Sequence, residues 1–169
     1  MSPDSTSRRR WLCRIAAAAA MAVLPALTGC LSAPLAPSEP VAFDTQAALA
    51  EVNAFRAANG APPLRLEPRL ADAAAAQSAS MAGANRMSHT VAGRLTGRVE
   101  RYGYAWRVTA ENIGRDYATF DAALAGWEAS PHHRDNLLNR DVSEIGLAAA
   151  RGVGRATIYW TMILGAPKH

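Results

Sequence analysis

Three side chains able to do chemistry at neutral pH stand in short polar motifs between helical stretches. They are His89 in Met87-Ser88-His89, Glu111 in Ala110-Glu111-Asn112-Ile113, and His133 in Trp127-x-x-Ser130-Pro131-x-His133-Arg134. Two imidazoles and a carboxylate can hold a divalent ion such as zinc with a fourth position open for water. They can equally form an acid/base group working near the ordinary histidine pKa of about 6.5. Spacing alone leaves both open, since only a fold brings residues this far apart together. No oxyanion-type motif accompanies Ser88 or Ser130, so a serine nucleophile is not evident. Asn112 and Asn136 read as partners of backbone, and Trp127 and Trp160 as core.

A fourth reactive side chain is Cys30. Arg8, Arg9, Arg10 and Arg14 form a positive region, Ile15 to Leu27 an apolar one rich in alanine, and Leu27-Thr28-Gly29-Cys30 a small-residue site. An apolar run of about 13 residues is short for a bilayer core, which takes roughly 20. Leu27 to Cys30 resembles the bacterial lipobox, which implies removal of residues 1–29 and diacylglycerol on the Cys30 sulfur. Leu31 after the cysteine implies the outer membrane where the host has one. Ser7-Arg8-Arg9-Arg10-Trp11-Leu12 reads either as a twin-arginine export signal or as an ordinary basic region.

Charge follows the same division. The chain carries 18 basic and 14 acidic residues and a formal charge of +4, but four arginines and one aspartate fall in the signal. The remainder is nearly neutral and has no basic run interleaved with aromatics, so nucleic acid is not an expected partner. With Cys13 in the signal and Cys30 lipidated, no thiol is left to pair, and the domain must be held by its core.

The elements that must position the polar motifs can be read in order. Residues 30–43, with Pro34, Pro37 and Pro40, read as a lipidated cysteine and an extended tether. A helix from the Asp44 N-cap to near Gly60 presents Leu49, Val52 and Phe55; Leu64-Arg65-Leu66 is short and extended. A second helix, from about Pro68 to Arg86, has Leu70, Ala73, Ala74, Gln77 and Met81 on one face. Arg94 to Tyr102 has weaker helical spacing closed by Gly103, and Thr109 to Gly114 is a short strand or loop. Thr119 caps a helix carrying Phe120, Ala123, Leu124 and Trp127; Ser130-Pro131 ends it, and His132 to Leu138 begins a new turn. Glu144 to Ala149 and Thr157 to Leu164 read as a closing hairpin around Arg151 to Gly154, apolar on both faces like a strand covered from both sides. Helices first and a hairpin last predict an α+β fold with a small sheet between helical layers.

From Asp44 to Gly165 the chain resembles the CAP superfamily (cysteine-rich secretory proteins, antigen 5 and plant pathogenesis-related proteins), in its bacterial SCP-like branch. The landmarks occur in register: Val52-Asn53-Ala54-Phe55-Arg56 with Gly60 and Leu64, then Met87-Ser88-His89, then Ala110-Glu111-Asn112-Ile113. Trp127 through Leu138, Ile145-Gly146-Leu147, and Tyr159-Trp160-Thr161 with Gly165 complete the series. The resemblance implies a three-layer α-β-α sandwich over residues 44–169 and a cavity whose full form holds two histidines and two glutamates. By motif, His89, His133 and Glu111 take three of those places. The fourth falls near Ser130, with Glu128 two residues earlier as a second carboxylate or one that points elsewhere. His132 replaces a usual glycine and is either an extra ligand or a solvated ring at a helix start, and Met162 stands where relatives often have Gln.

Three functions follow as expectations. The first is a non-catalytic binding module in the cell envelope, anchored through Cys30 and taking a lipid, a sterol-like molecule, another small ligand or a metal. The second is a zinc-assisted or histidine-based peptidase or esterase using His89, Glu111 and His133. The third is a structural or host-interacting protein in which the constellation is residual.

Overall fold

The computed structural model describes residues 35–168; the stretch read as an export signal, Cys30, the start of the stretch read as a tether, and His169 lie outside the described residues. In chain order the elements are β1 (Ser38–Pro40), α1 (Thr45–Ala58), β2 (Arg65–Leu66), α2 (Pro68–Ala84), α3 (Leu95–Arg101), β3 (Trp106–Arg115), α4 (Phe120–Ala129), α5 (Pro131–Leu137), β4 (Glu144–Gly152) and β5 (Ile158–Pro167). Local chemistry sets the helix ends. Asp44 Oδ1 accepts the Gln46 and Ala47 N–H groups at 2.9 and 3.0 Å, and Thr119 Oγ1 accepts that of Ala122 at 3.3 Å, satisfying otherwise orphaned donors. Asn85, at φ 47° and ψ 41°, closes α2 in the left-handed conformation, so this helix stops short of Arg86. Ser130 ends α4, and Pro131 opens α5 at the one helical position where its missing N–H costs nothing.

The sheet runs β1-β4-β5-β3, with β2 also pairing β4. The long strands are antiparallel, with Glu111 opposite Ile163 and Ile163 opposite Gly146. Alternation then divides the side chains between two layers. Ile145, Leu147, Trp160, Met162 and Leu164 pack with Val52 of α1, Leu124 and Trp127 of α4, and Leu137 of α5. On the opposite face, Ile163 packs with Leu70, Ala73 and Ala74 of α2 and Val99 of α3. This is the three-layer α-β-α arrangement, with apolar side chains on both faces of the sheet. Each large side chain so buried contributes about 1.5–3 kcal/mol. The alanine face of α2 lets the helix lie close on the sheet, and Gly146 lets it lie closer still. A Cβ there would stand 2.1 Å from the Leu70 carbonyl carbon, so no side chain fits.

Several elements differ from the sequence reading. Part of the segment read as tether belongs to the sheet: β1 pairs with β4, the Val41 N–H donates to Ala149 O at 2.9 Å, and Phe43 stacks on Phe120. Proline tolerates this because β1 has an outer edge that needs no donor. Helix α1 buries Ala48, Val52 and Arg56, leaving Leu49 and Phe55 at the flank of the core. The Arg56 guanidinium determines that rotation, donating to the carbonyls of Pro62 at 2.7 Å, Leu137 at 2.5 Å and Asn139 at 3.0 Å. The piece read as a short strand or loop from Thr109 to Gly114 is a full ten-residue strand, β3.

Candidate functional site

β3 is an edge strand of the sheet, at the end opposite β1, and the polar motifs gather around its outer edge. Edge carbonyls are a liability unless something covers them. Here Trp127 Nε1 donates to Ile113 O at 3.0 Å and Asn136 Nδ2 to Glu111 O at 3.4 Å, so α4 and α5 close the edge. Asn136 also donates to Asn112 Oδ1 at 2.9 Å, while Asn112 Nδ2 donates to His133 O at 3.0 Å. Both asparagines thus hold backbone and fix α5 against β3.

Glu111 faces the α2/α3 layer and is buried. Its Oε1 lies 2.8 Å from His89 Nδ1, and its Oε2 accepts from Arg98 Nη2 of α3. Arg98 has no exposed surface, and its Nη1 donates to Gln77 Oε1 at 2.8 Å and to Gly93 O at 2.9 Å. Gln77 Nε2 donates in turn to Ser88 O at 2.5 Å, beside His89. The network therefore closes on itself, from His89 through Glu111, Arg98 and Gln77 back to the His89 loop. Burial lowers the Arg98 pKa and the Glu111 carboxylate opposes that lowering.

His133 comes from the opposite layer, on α5, and is half-buried. Burial is the main cause that pushes its imidazole pKa below the ordinary value, with the charges of His89 and His132 adding to it. The ring lines a cavity of about 200 Å³ with Met87, Gly114, Tyr117, Trp127 and Ser130. Ser130 lines this cavity beside His133. His132 is exposed. Glu128 is separated from the site: it lines a groove between α1 and α4 with Glu51, Phe55 and Asp121. One residue along α4 from Trp127 is a rotation of about 100° around the helix, which is enough to turn it away.

The donor set as it stands does not fit a metal ion. Both Glu111 oxygens are engaged, one by a buried guanidinium, and among the described residues no three His, Asp or Glu side chains converge on one point. No hydroxyl is bonded to either histidine ring among the described residues, and Ser88 Oγ is shared with Thr90.

Sequence reasoning missed Arg98 and the polar role of Gln77. The signal was present: Arg98 sits three residues after Leu95 and four before Tyr102, inside the apolar stripe of its helix. A charge in such a stripe asks for a buried partner of opposite sign.

A three-layer sandwich whose edge strand is straddled by histidines from opposite layers defines the class as CAP-like. The chain belongs to the cysteine-rich secretory protein (CAP) family, whose model matches residues 49–164. Protein YkwD of Bacillus subtilis (strain 168) is 29% identical over 97 residues, covering 56% of this chain and 38% of that protein. Membrane protein YlbC of the same organism is 32% identical over 101 residues, covering 59% of this chain and 29% of that protein. The chain therefore spans well under half the length of these curated relatives. Among solved structures, an extracellular protein containing an SCP domain from Bacillus anthracis str. Ames aligns with a TM-score of 0.63 at 29% identity, over 71% of this chain and 39% of that one. An outer surface protein from Borrelia burgdorferi aligns with a TM-score of 0.70 at 16% identity, over 78% of this chain and 99% of that one, a likeness of fold.

Proposed function

We propose that this protein is a lipoprotein held in the cell envelope through Cys30, in the outer membrane of a host that has one. Its CAP domain is a non-catalytic binding module for an apolar ligand such as a lipid. The observation that carries the non-catalytic reading is the closed network at Glu111. A carboxylate bonded on one oxygen by Arg98 and on the other by His89 is spent on holding the fold together. The ligand class comes from another part of the surface. An open groove of about 410 Å³ runs between α2 and the β1–β4 edge, lined by Pro40, Ala75, Ala76, Ala79, Tyr102 and Ala149. Alanines leave room for a chain of methylenes, each worth about 0.8 kcal/mol when buried. Its β1 rim places the groove a few residues from the segment that leads to Cys30, as suits a domain working beside a membrane. The extracellular SCP-domain protein and the membrane protein that the chain is similar to agree with an envelope location.

The test is uptake of a fluorescent fatty acid by the domain begun at Leu35, so that β1 is kept. Saturable binding that is lost on Ala76→Arg is expected; binding that never saturates sinks the ligand assignment. Palmitate labelling lost on Cys30→Ser checks the anchor. A histidine-based hydrolase is the second reading, favoured by one feature: His89 is exposed on one side while Glu111 holds its Nδ1 on the other. Ester hydrolysis abolished by His89→Gln would establish it.

A further inference from the structure

We infer that Arg98 is a built-in cation, standing at Glu111 where a metal ion would otherwise be needed, and that the His89–Glu111 pair works without a metal. The inference concerns the His89–Glu111–Arg98 network alone and does not depend on what the alanine groove binds. Glu111 is a buried carboxylate on an edge strand, and a buried anion requires a counter-charge close by. An exposed arginine can supply it by reaching in from the surface, as Arg65 does for Glu144. Arg98 instead supplies it from α3, with no exposed surface of its own.

Its bonds show a second task. The same guanidinium donates to Gly93 O at 2.9 Å, while His89 O lies at 3.5 Å, so it gathers the loop that carries His89. A metal ion bridging His89 and Glu111 would organise that loop in much the same way. The two solutions exclude one another. A divalent ion on a Glu111 oxygen would face the guanidinium across a low-dielectric gap and take away the one carboxylate bonded to it. Arg98 would then be a buried cation with no anion, and its Nε already has no hydrogen-bond partner among the described residues. Arg98 is in this sense a positioning residue for His89 through Glu111. The guanidinium is also permanent: unlike an ion, it cannot be lost to a chelator or exchanged.

The experiment uses the full chain in detergent. It measures bound zinc after incubation and gel filtration, and thermal unfolding of wild type, Glu111→Gln, Arg98→Met and the double variant. Wild type is expected to retain less than about 0.1 zinc per chain and to show no Tm change with zinc. Each single variant is expected to lose about 10 °C in Tm, because each leaves one buried charge unpaired. The double variant should recover most of that loss, since it removes both charges. This recovery separates a counter-ion from a packing residue, for which the two losses would add. One zinc per wild-type chain, lost on His89→Ala, would overturn the inference, and so would additive losses. Should Arg98→Met fail to fold, folding of the double variant is the same support, and its failure to fold the same refutation.

Discussion

Two buried carboxylates project from the sheet into the α2/α3 layer, and they are satisfied in opposite ways. Glu144, at the start of β4, accepts from Arg65 and, at 2.5 Å, from the Tyr104 hydroxyl. The Arg65 side chain is 70% exposed, so its charge stays in water and only a neutral phenol is buried. Glu111 reverses this: its cation, Arg98, is inside, and its histidine is outside. At one end of the sheet the charge partner can be given up cheaply. At the other it cannot, because removing either partner strands a charge in a low-dielectric interior. The same residue type on the same face is thus an anchor at Glu144 and one part of a closed electrostatic network at Glu111.

The contrast can be broken or sharpened by substitution. Glu111→Gln should cost roughly 3–5 kcal/mol, because it leaves Arg98 buried without an anion; urea unfolding measures it, and a loss below about 1 kcal/mol would erase the distinction. Tyr104→Phe should cost about 1–3 kcal/mol by taking a hydrogen bond from a buried carboxylate. It should also change the alkaline limb. Burial and the Glu144 hydrogen bond raise the Tyr104 pKa above its ordinary value of 10.0. The contribution of Tyr104 is therefore complete below about pH 10 and is lost as pH rises above it, and the phenylalanine chain should lack that decline in a Tm series from about pH 9 to 11. Glu144→Gln should cost only about 1 kcal/mol, since Gln still accepts from Tyr104 and Arg65 remains hydrated; a cost equal to that of Glu111→Gln would remove the asymmetry.

The smallest effect belongs to His133. Its folded pKa is depressed, so below about pH 6.5 the unfolded chain takes up a proton that the folded chain resists. Stability should fall as pH drops from about 6.5, by less than about 1 kcal/mol, and His133→Gln should remove that part of the fall. A Tm-versus-pH slope unchanged in this variant would refute the half-buried environment assigned to the ring.

Much of this was legible in the chain because local rules and apolar periodicity carry it. The Asp44 and Thr119 caps, the Ser130-Pro131 break, the alanine face of α2 and the two-sided apolar closing strand follow from hydrogen-bonding capacity and spacing alone. The motifs around His89, Glu111 and His133 were legible as motifs too. Their mutual arrangement was not, since it depends on β3 being an edge strand, and a short polar stretch such as Thr109 to Gly114 does not announce its partner. Glu128 shows the limit most simply: it is a near neighbour of Ser130 in the chain, yet Ser130 lines the site and Glu128 the far groove.

The residue sequence by itself determined the family, through motifs that resemble it in register, and the α+β layering, through periods of two and 3.6. Only the tertiary structure decided what the polar side chains do. It brought Arg98 and Gln77 to Glu111 from two other helices and drew β1 into the sheet from a stretch that reads as tether. The reason is physical: a buried charge has no meaning without its counter-charge, and that partner is selected by packing across the fold.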